Sequence, residues 1–99
     1  MQINIQFVKI KNSDALAEFI NQQLEKLQNK YEWLIRAEVF IKWESQAIGK
    51  DKICEIELSA PGPRIYAEAR ADNFELAVKN TVAELEQQLK KRKAVFQNH

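Results

Sequence analysis

Four consecutive cations, Lys90-Lys91-Arg92-Lys93, are the residues of this chain with the clearest chemical meaning, and we call them the basic run. The 99-residue sequence holds 15 Lys and Arg against 14 Asp and Glu, which gives a formal charge of +1. Without the basic run that charge falls by 4 to −3, so the positive charge is concentrated there. A cationic patch beside a folded core attracts polyanions, and RNA is the first candidate.

The basic run also has a purely structural interpretation. Cations near a helix C-terminus complement the helix dipole, which stabilises by roughly 0.3–1 kcal/mol per cation at best. This explains one or two cations more readily than four in succession. Basic runs can also simply solvate a surface, so both alternatives stay open beside RNA binding.

Catalytic chemistry has few candidate residues in this sequence. His99 is the only histidine and is the last residue, and Cys54 lies within a strand pattern. Neither a metal-ligand cluster nor a glycine-rich phosphate loop is recognisable, and Glu55 and Glu57 have the spacing of a solvated strand face. We therefore predict that the protein is not an enzyme and uses no cofactor, metal or small-molecule substrate. A buried, reduced Cys54 fits the cytoplasm.

The N-terminal half of the sequence predicts a strand, a helix and a second strand. Apolar and polar residues alternate over residues 2–8. Ser13 is a candidate N-cap for a helix reaching about residue 31, with apolar residues at helical spacing. A strand is predicted over residues 34–44. Its predicted core-facing residues are Ile35, Ala37, Val39, Ile41 and Trp43.

The C-terminal half predicts a hairpin and a long helix. A polar loop over residues 45–51, containing Gly49, joins the second strand to a third that buries Cys54, Ile56 and Leu58. Pro61-Gly62-Pro63 forces a turn into a fourth strand. Asp72 is the predicted N-cap of the last helix, in a capping box with Glu75. The helix should continue into the basic run, and its predicted apolar stripe is Leu76, Ala77, Val82, Leu85 and Leu89, flanked by Phe74, Val78 and Thr81.

The element order β-α-β-β-β-α predicts an α+β fold, a two-layer sandwich with two helices on one face of a four-stranded sheet. The other sheet face should be exposed to solvent. Phe40 and Tyr66 stand there beside arginines, as on surfaces that stack RNA bases. Glu38, Glu55, Glu57 and Glu68 share this face and would repel phosphates, so a mixed, salt-bridged surface is the favoured interpretation.

Further cations could extend an RNA-binding surface. Lys26 and Lys30 lie at i, i+4 on the first helix, where salt bridges with Glu18 or Glu25 are an equally good interpretation. Lys9 and Lys11 flank the first strand–helix turn. If the two helices run side by side, these groups could line one surface.

The chain resembles the ribosome hibernation-promoting factors, also called ribosome-associated inhibitors or sigma-factor modulation proteins. Asp72-Asn73-Phe74 stands where that family commonly has an Asp-Met-Tyr cap. The resemblance spans essentially all 99 residues, and both helices contain matching positions. The matching positions are Ala15-Leu16, Phe19, Lys26-Leu27, Ala77, Leu85, Gln88, Leu89, Lys91 and Lys93.

This resemblance implies a fold like a double-stranded-RNA-binding domain with an extra leading strand. It implies a bacterial factor of stress and stationary phase that binds the small ribosomal subunit and excludes messenger and transfer RNA from the decoding region. Residues 1–99 would form one ribosome-binding domain of the short form, with a basic helix end and tail over 90–99. The expected RNA-binding residues are Lys9, Lys11, Lys26, Lys30, Lys79, Lys90, Lys91, Arg92 and Lys93.

The sequence departs from the family where relatives often carry Lys or Arg, at Ala17, Gln23, Glu84 and Gln87. More of the affinity would then rest on the basic run. An alternative function is a protein-interaction or dimerisation module, because Ala94-Val95-Phe96 extends an apolar element past the run. A weak homodimer is therefore an open prediction. Membrane binding is disfavoured, because the helix's apolar stripe is needed for the core.

Overall fold

Four strands and two helices follow one another in the predicted order. The structure is a computed structural model that describes residues 1–45 and 50–97. The elements are β1 (Gln2–Phe7), α1 (Asp14–Lys30), β2 (Arg36–Trp43), β3 (Lys52–Ser59), β4 (Ile65–Ala71) and α2 (Phe74–Gln97). The predictions for residues 46–49, including Gly49, and for His99 fall outside the described residues.

The sheet has the order β1-β2-β3-β4. β1 and β2 are parallel, with Ile5 opposite Val39, because α1 crosses over between them. β2, β3 and β4 follow one another along the chain and pair antiparallel. Both helices cover the same face of the sheet, so the predicted α+β sandwich is confirmed.

The core lies between the helices and that face of the sheet. Alternation along each strand sends every second side chain inward, as predicted for β2, β3 and β4. Fully buried side chains come from every layer, and they include Ile20, Leu24, Val39, Ile41, Cys54, Ile56, Leu58, Leu85 and Leu89. Ile3, Ile5 and Phe7 of the edge strand β1 pack against this core while partly exposed.

Helix α1 begins as predicted. The side chain of Ser13 accepts a hydrogen bond from the backbone N–H of Leu16, at 3.2 Å. Asp14 lies in the first turn and Lys30 in the last, so both charges complement the helix dipole. The inward stripe of α1 consists of Leu16, Ile20, Leu24 and Leu27.

Two predicted core residues of the second strand are exposed instead. Ile35 is 59% exposed, because it precedes the first strand residue, Arg36, and the helices do not cover it. Trp43 is 51% exposed at the last position of β2, where it pairs with Lys52 and donates a hydrogen bond to Asp51. The predicted alternation of the strand is confirmed, but the helices bury fewer residues at both ends of the strand than the sequence predicts.

The predicted cap and stripe of α2 are also corrected. Asn73 is the N-cap, because its side-chain oxygen accepts from the N–H of Leu76 at 2.8 Å and the helix starts at Phe74. Asp72 therefore lies one residue too early for the predicted capping box with Glu75. Leu76 is 42% exposed, whereas Val78 and Thr81 are fully buried, so the buried stripe is rotated from the predicted one.

The outer face of the sheet is a mixed, salt-bridged surface. Ion pairs join Arg36 to Glu38, Lys42 to Glu55, Arg64 to Glu57 and Arg70 to Glu44. Burial and nearby glutamates raise the pKa of Tyr66 to about 12, and its hydroxyl donates to Glu68. Because these groups already have partners, the interpretation of this face as a solvated surface is supported.

Candidate nucleic-acid interface

The two helices run parallel, and their C-terminal ends meet at one end of the molecule. Residues farther along the first segment contact residues farther along α2. Lys30, the last residue of α1, pairs with Glu86, whereas Tyr31 and Trp33, which follow α1, contact Lys93 and Phe96. Cations from separate parts of the sequence are therefore brought to one end of the molecule. We call Lys26, Lys30, Lys90, Lys91 and Lys93 the helix-end cation surface; all of them are exposed, and Lys91 lies at its edge, beside the loop of residues 61–63.

Lys79 extends this surface along α2. It is exposed and lies eleven residues before Lys90, which is slightly more than three helical turns and places both on one side of the helix. Glu86 falls on the same side between them and pairs with Lys30 at 3.0 Å. The α2 surface therefore carries one paired carboxylate between its cations.

Lys9 and Lys11 lie at the opposite end of α1. Both are exposed, and the backbone of Lys9 is left-handed, with φ 59°. Helix α1 has 17 residues and is about 25 Å long, so these lysines are far from the helix-end cation surface. The nine predicted RNA-binding residues therefore do not form one compact cluster.

An inter-helix cleft of about 410 Å³ separates α1 from α2. Its lining includes Lys26 and Lys30 from α1 and Val82 and Glu86 from α2. The hydrogen bond with Glu86 raises the pKa of Lys30 further above neutral pH. The predicted salt bridge of Lys30 within α1 is replaced by one between the helices.

The four members of the basic run occupy different environments. Lys90 and Lys91 are exposed, and the amine of Lys93 lies 5.8 Å from the ring centroid of Tyr31. Arg92 instead turns toward the loop between β3 and β4. Its Nη1 donates to the carbonyl oxygens of Pro61, at 3.3 Å, and Pro63, at 2.5 Å. The charge of the run is continuous, but one of its members acts within the fold.

A second depression, the C-terminal groove, lies between α2 and the loop of residues 61–63. It has a volume of about 400 Å³, and its walls include Pro61, Pro63, Val95 and Phe96. Gln88 and the basic-run residues Lys91 and Arg92 complete much of its lining. Sequence reasoning singled out the apolar Val95-Phe96 wall but not the groove, because the two walls are about thirty residues apart in sequence and meet only through the fold.

The buried thiol has no catalytic setting. Cys54 is fully buried, and burial raises its pKa to about 12, so it stays a protonated thiol at neutral pH. The hydroxyl of Thr81 lies 2.8 Å from the carbonyl oxygen of Ala77 and 3.2 Å from that of Cys54. Within residues 1–45 and 50–97, no group of three or more His, Cys, Asp and Glu could hold a metal ion.

Neither helix of the described chain has the length and apolar character needed to cross a bilayer.

Two solved structures resemble this chain. The computed structure is similar to a ribosomal subunit interface protein from Coxiella burnetii, with 26% identity, a TM-score of 0.84 and coverage of 95% of this chain and 99% of the other. It shares its fold with the N-terminal domain of Thermus thermophilus Protein Y, with 22% identity, a TM-score of 0.79 and coverage of 92% and 98%. Curated proteins gave no match.

The sequence itself gives the decisive comparison. Residues 3–96 match the family described as sigma 54 modulation protein / S30EA ribosomal protein. That match covers nearly the whole chain and confirms the resemblance to the ribosome hibernation factors. The chain belongs to the sigma 54 modulation protein / S30EA ribosomal protein family.

Proposed function

We propose that this protein binds the small ribosomal subunit through its helical side and prevents messenger and transfer RNA from binding near the decoding site. The observation that carries the proposal is the meeting of exposed cations from both helices in a member of a ribosomal protein family. The Coxiella burnetii relative is a ribosomal subunit interface protein, which supports binding to a ribosome.

The charge distribution favours the helical side over the sheet. Lys26, Lys90 and Lys91 are exposed on the helices, whereas cations of the outer sheet face are held in ion pairs. An exposed lysine can neutralise a phosphate and release a condensed counterion, which is the main source of affinity for RNA. Lys9, Lys11 and Lys79 would add contacts farther along the helices.

Inhibition in this proposal is steric. A domain seated in the path of messenger and transfer RNA blocks them by occupying their space, so no bond has to be formed or broken. Protein concentration and affinity then set the degree of inhibition. Residues 1–99 act as one ribosome-binding unit in this account.

Sedimentation with purified small ribosomal subunits at several salt concentrations tests the proposal. The log of the binding constant should fall linearly with the log of salt concentration, by roughly 0.7–0.9 per phosphate neutralised. A variant with Lys90→Gln, Lys91→Gln and Lys93→Gln should bind more weakly and with a flatter slope. Arg92 is kept in this variant, because its loss would disturb the loop of residues 61–63.

A matched variant loses the same charge from the outer sheet face, through Arg36→Gln, Lys42→Gln and Arg70→Gln. Its salt slope should stay close to that of the wild type. Equal slopes for the two triple variants would show that only total charge matters and would remove the helical side from the mechanism. Filter binding of initiator transfer RNA to the same subunits should fall as the protein is added, and unchanged binding would contradict steric exclusion.

A further inference from the structure

We propose that the C-terminal groove is a docking site for a protein segment in which apolar side chains are flanked by carboxylates. This inference does not rest on ribosome binding, because the groove is defined by its apolar wall, and Lys91 is the one residue that it shares with the helix-end cation surface. Val95 is 56% exposed and Phe96 is 41% exposed, although both are large apolar residues. Together with Pro61 and Pro63 they offer an apolar wall that residues 1–45 and 50–97 leave partly uncovered.

The polar groups around the groove argue for an apolar occupant. The amide of Gln88 donates to the carbonyl oxygen of Tyr66 at 2.8 Å. The guanidinium of Arg92 is directed at the carbonyl oxygens of Pro61 and Pro63. The amide nitrogen of Gln88 and Nη1 of Arg92 therefore already have partners within the fold. The side chains of Pro61, Pro63, Val95 and Phe96 offer no hydrogen bond to a nucleobase or a polar small molecule, and each hydrogen-bonding group left unpaired costs roughly 1–3 kcal/mol.

Charge complementarity selects the flanking residues of the occupant. Lys91 and Arg92 line the groove, and none of the described residues lining it carries a carboxylate. A segment with Asp or Glu next to its apolar residue would place negative charge against these cations. A second copy of this chain fits less well, because a two-fold contact through the groove would bring the same cations together.

Fluorescence anisotropy with a labelled peptide of leucines flanked by aspartates tests the proposal on the full chain. We expect saturable binding by this peptide. Two control peptides should bind at least about tenfold more weakly, one with serines in place of the leucines and one with lysines in place of the aspartates. Equal binding of all three peptides would overturn the proposal, as would the absence of binding.

Variants of the protein locate the site. Val95→Asp should lower the affinity for the aspartate–leucine peptide about tenfold, because it puts a charge on the apolar wall. Ala83→Asp, an exposed substitution of equal charge elsewhere on α2, should have little effect. Lys91→Glu should lower the affinity for the peptide about fivefold. Lys90→Glu should lower this affinity less, because Lys91 lines the groove and Lys90 does not.

Two further measurements decide between occupants. Polyuridylate binding should be weakened similarly by Lys90→Glu and Lys91→Glu and should be insensitive to Val95→Leu. If Val95→Leu or Val95→Asp selectively abolished polyuridylate binding while the peptide did not bind, the groove would be an RNA site and the proposal would be wrong. The protein could instead dimerise in a concentration-dependent way that Val95→Asp abolishes and the peptide does not inhibit. That result would overturn the proposal and assign the groove to a second copy of the chain.

Discussion

Nη1 of Arg92 lies 2.5 Å from the carbonyl oxygen of Pro63, across the gap between α2 and the loop joining β3 to β4. The same atom also donates to the carbonyl of Pro61. One of the four cations in the basic run therefore stabilises the fold directly, while Lys90 and Lys91 extend into solvent.

Replacing Arg92 should cost stability, whereas replacing its neighbour should not. Arg92→Gln removes a guanidinium that donates to two carbonyl oxygens, and we expect the free energy of unfolding to fall by about 1 kcal/mol at this partly exposed site. Lys90→Gln should change it by less than about 0.5 kcal/mol. Urea unfolding of the two variants gives the comparison, and equal stabilities would mean that the contact of Arg92 with the loop contributes nothing.

Gly62 should resist substitution because of its backbone. Its φ is 96°, a region that residues with a Cβ rarely adopt, so Gly62→Ala should destabilise by roughly 1–2 kcal/mol. A Cβ there would lie 3.5 Å from Nη1 of Arg92, an ordinary contact. Removing the Arg92 side chain in the same molecule should therefore not rescue the loss. A rescue in urea unfolding would point to steric conflict instead.

The N-cap of α2 should be detectable by paired substitutions. Asn73→Ala removes the acceptor for the N–H of Leu76 and should destabilise by about 1 kcal/mol. Asp72→Ala should cost clearly less, because Asp72 precedes the cap and contributes mainly through its charge near the helix N-terminus. Thermal or urea unfolding would decide between them, and a larger loss for Asp72→Ala would restore the capping box expected from the sequence.

Glu86 should weaken RNA binding in the wild-type protein. Its carboxylate pairs with Lys30 at 3.0 Å and lies among the cations of both helices. Glu86→Gln releases Lys30 and removes a negative charge, so affinity for small ribosomal subunits should rise about threefold at low salt. Stability should fall by less than about 1 kcal/mol, because the pair is exposed. Glu84→Gln is the matched control, and an equal gain from it would deny a special role to the Lys30–Glu86 pair.

Alkaline pH should destabilise the fold partly through Cys54. Burial raises the pKa of its thiol from 9.0 to about 12, so the folded state holds this proton more tightly than the unfolded state does. The stabilising effect is complete below about pH 9 and is lost as the pH rises toward about 12. The loss between about pH 8 and about pH 10, followed by urea unfolding, should be smaller in Cys54→Ala. An unchanged pH dependence would assign it to other groups, of which Tyr66 is the first to test with Tyr66→Phe.

Much of the architecture could be predicted because alternation and helical spacing record which side of an element is buried. Ser13 and the turn at Pro61-Gly62-Pro63 are local signals, and both predictions held. The errors occurred where tertiary packing decides. Ile35 and Trp43 continue the apolar alternation of β2, but the helices do not extend over the ends of that strand. Asp72 and Asn73 are adjacent polar residues that can both cap a helix, and the structure uses Asn73.

The candidate site was predictable in composition more than in arrangement. The basic run is visible in the sequence as a local excess of charge, but its division between solvent and the fold depends on the loop near Pro63. Likewise, Lys30 had plausible partners on its own helix, and its observed partner is 56 residues away on α2. Such long-range choices are set by how the helices pack, which a single sequence does not record.

A structure of the protein bound to the small ribosomal subunit tests the central claim most directly. The account predicts that Lys26, Lys30, Lys90, Lys91 and Lys93 face ribosomal RNA within the path of messenger and transfer RNA, and that the outer sheet face points away from it. A complex in which the outer sheet face contacts the RNA, or in which the protein lies outside that path, would contradict the account.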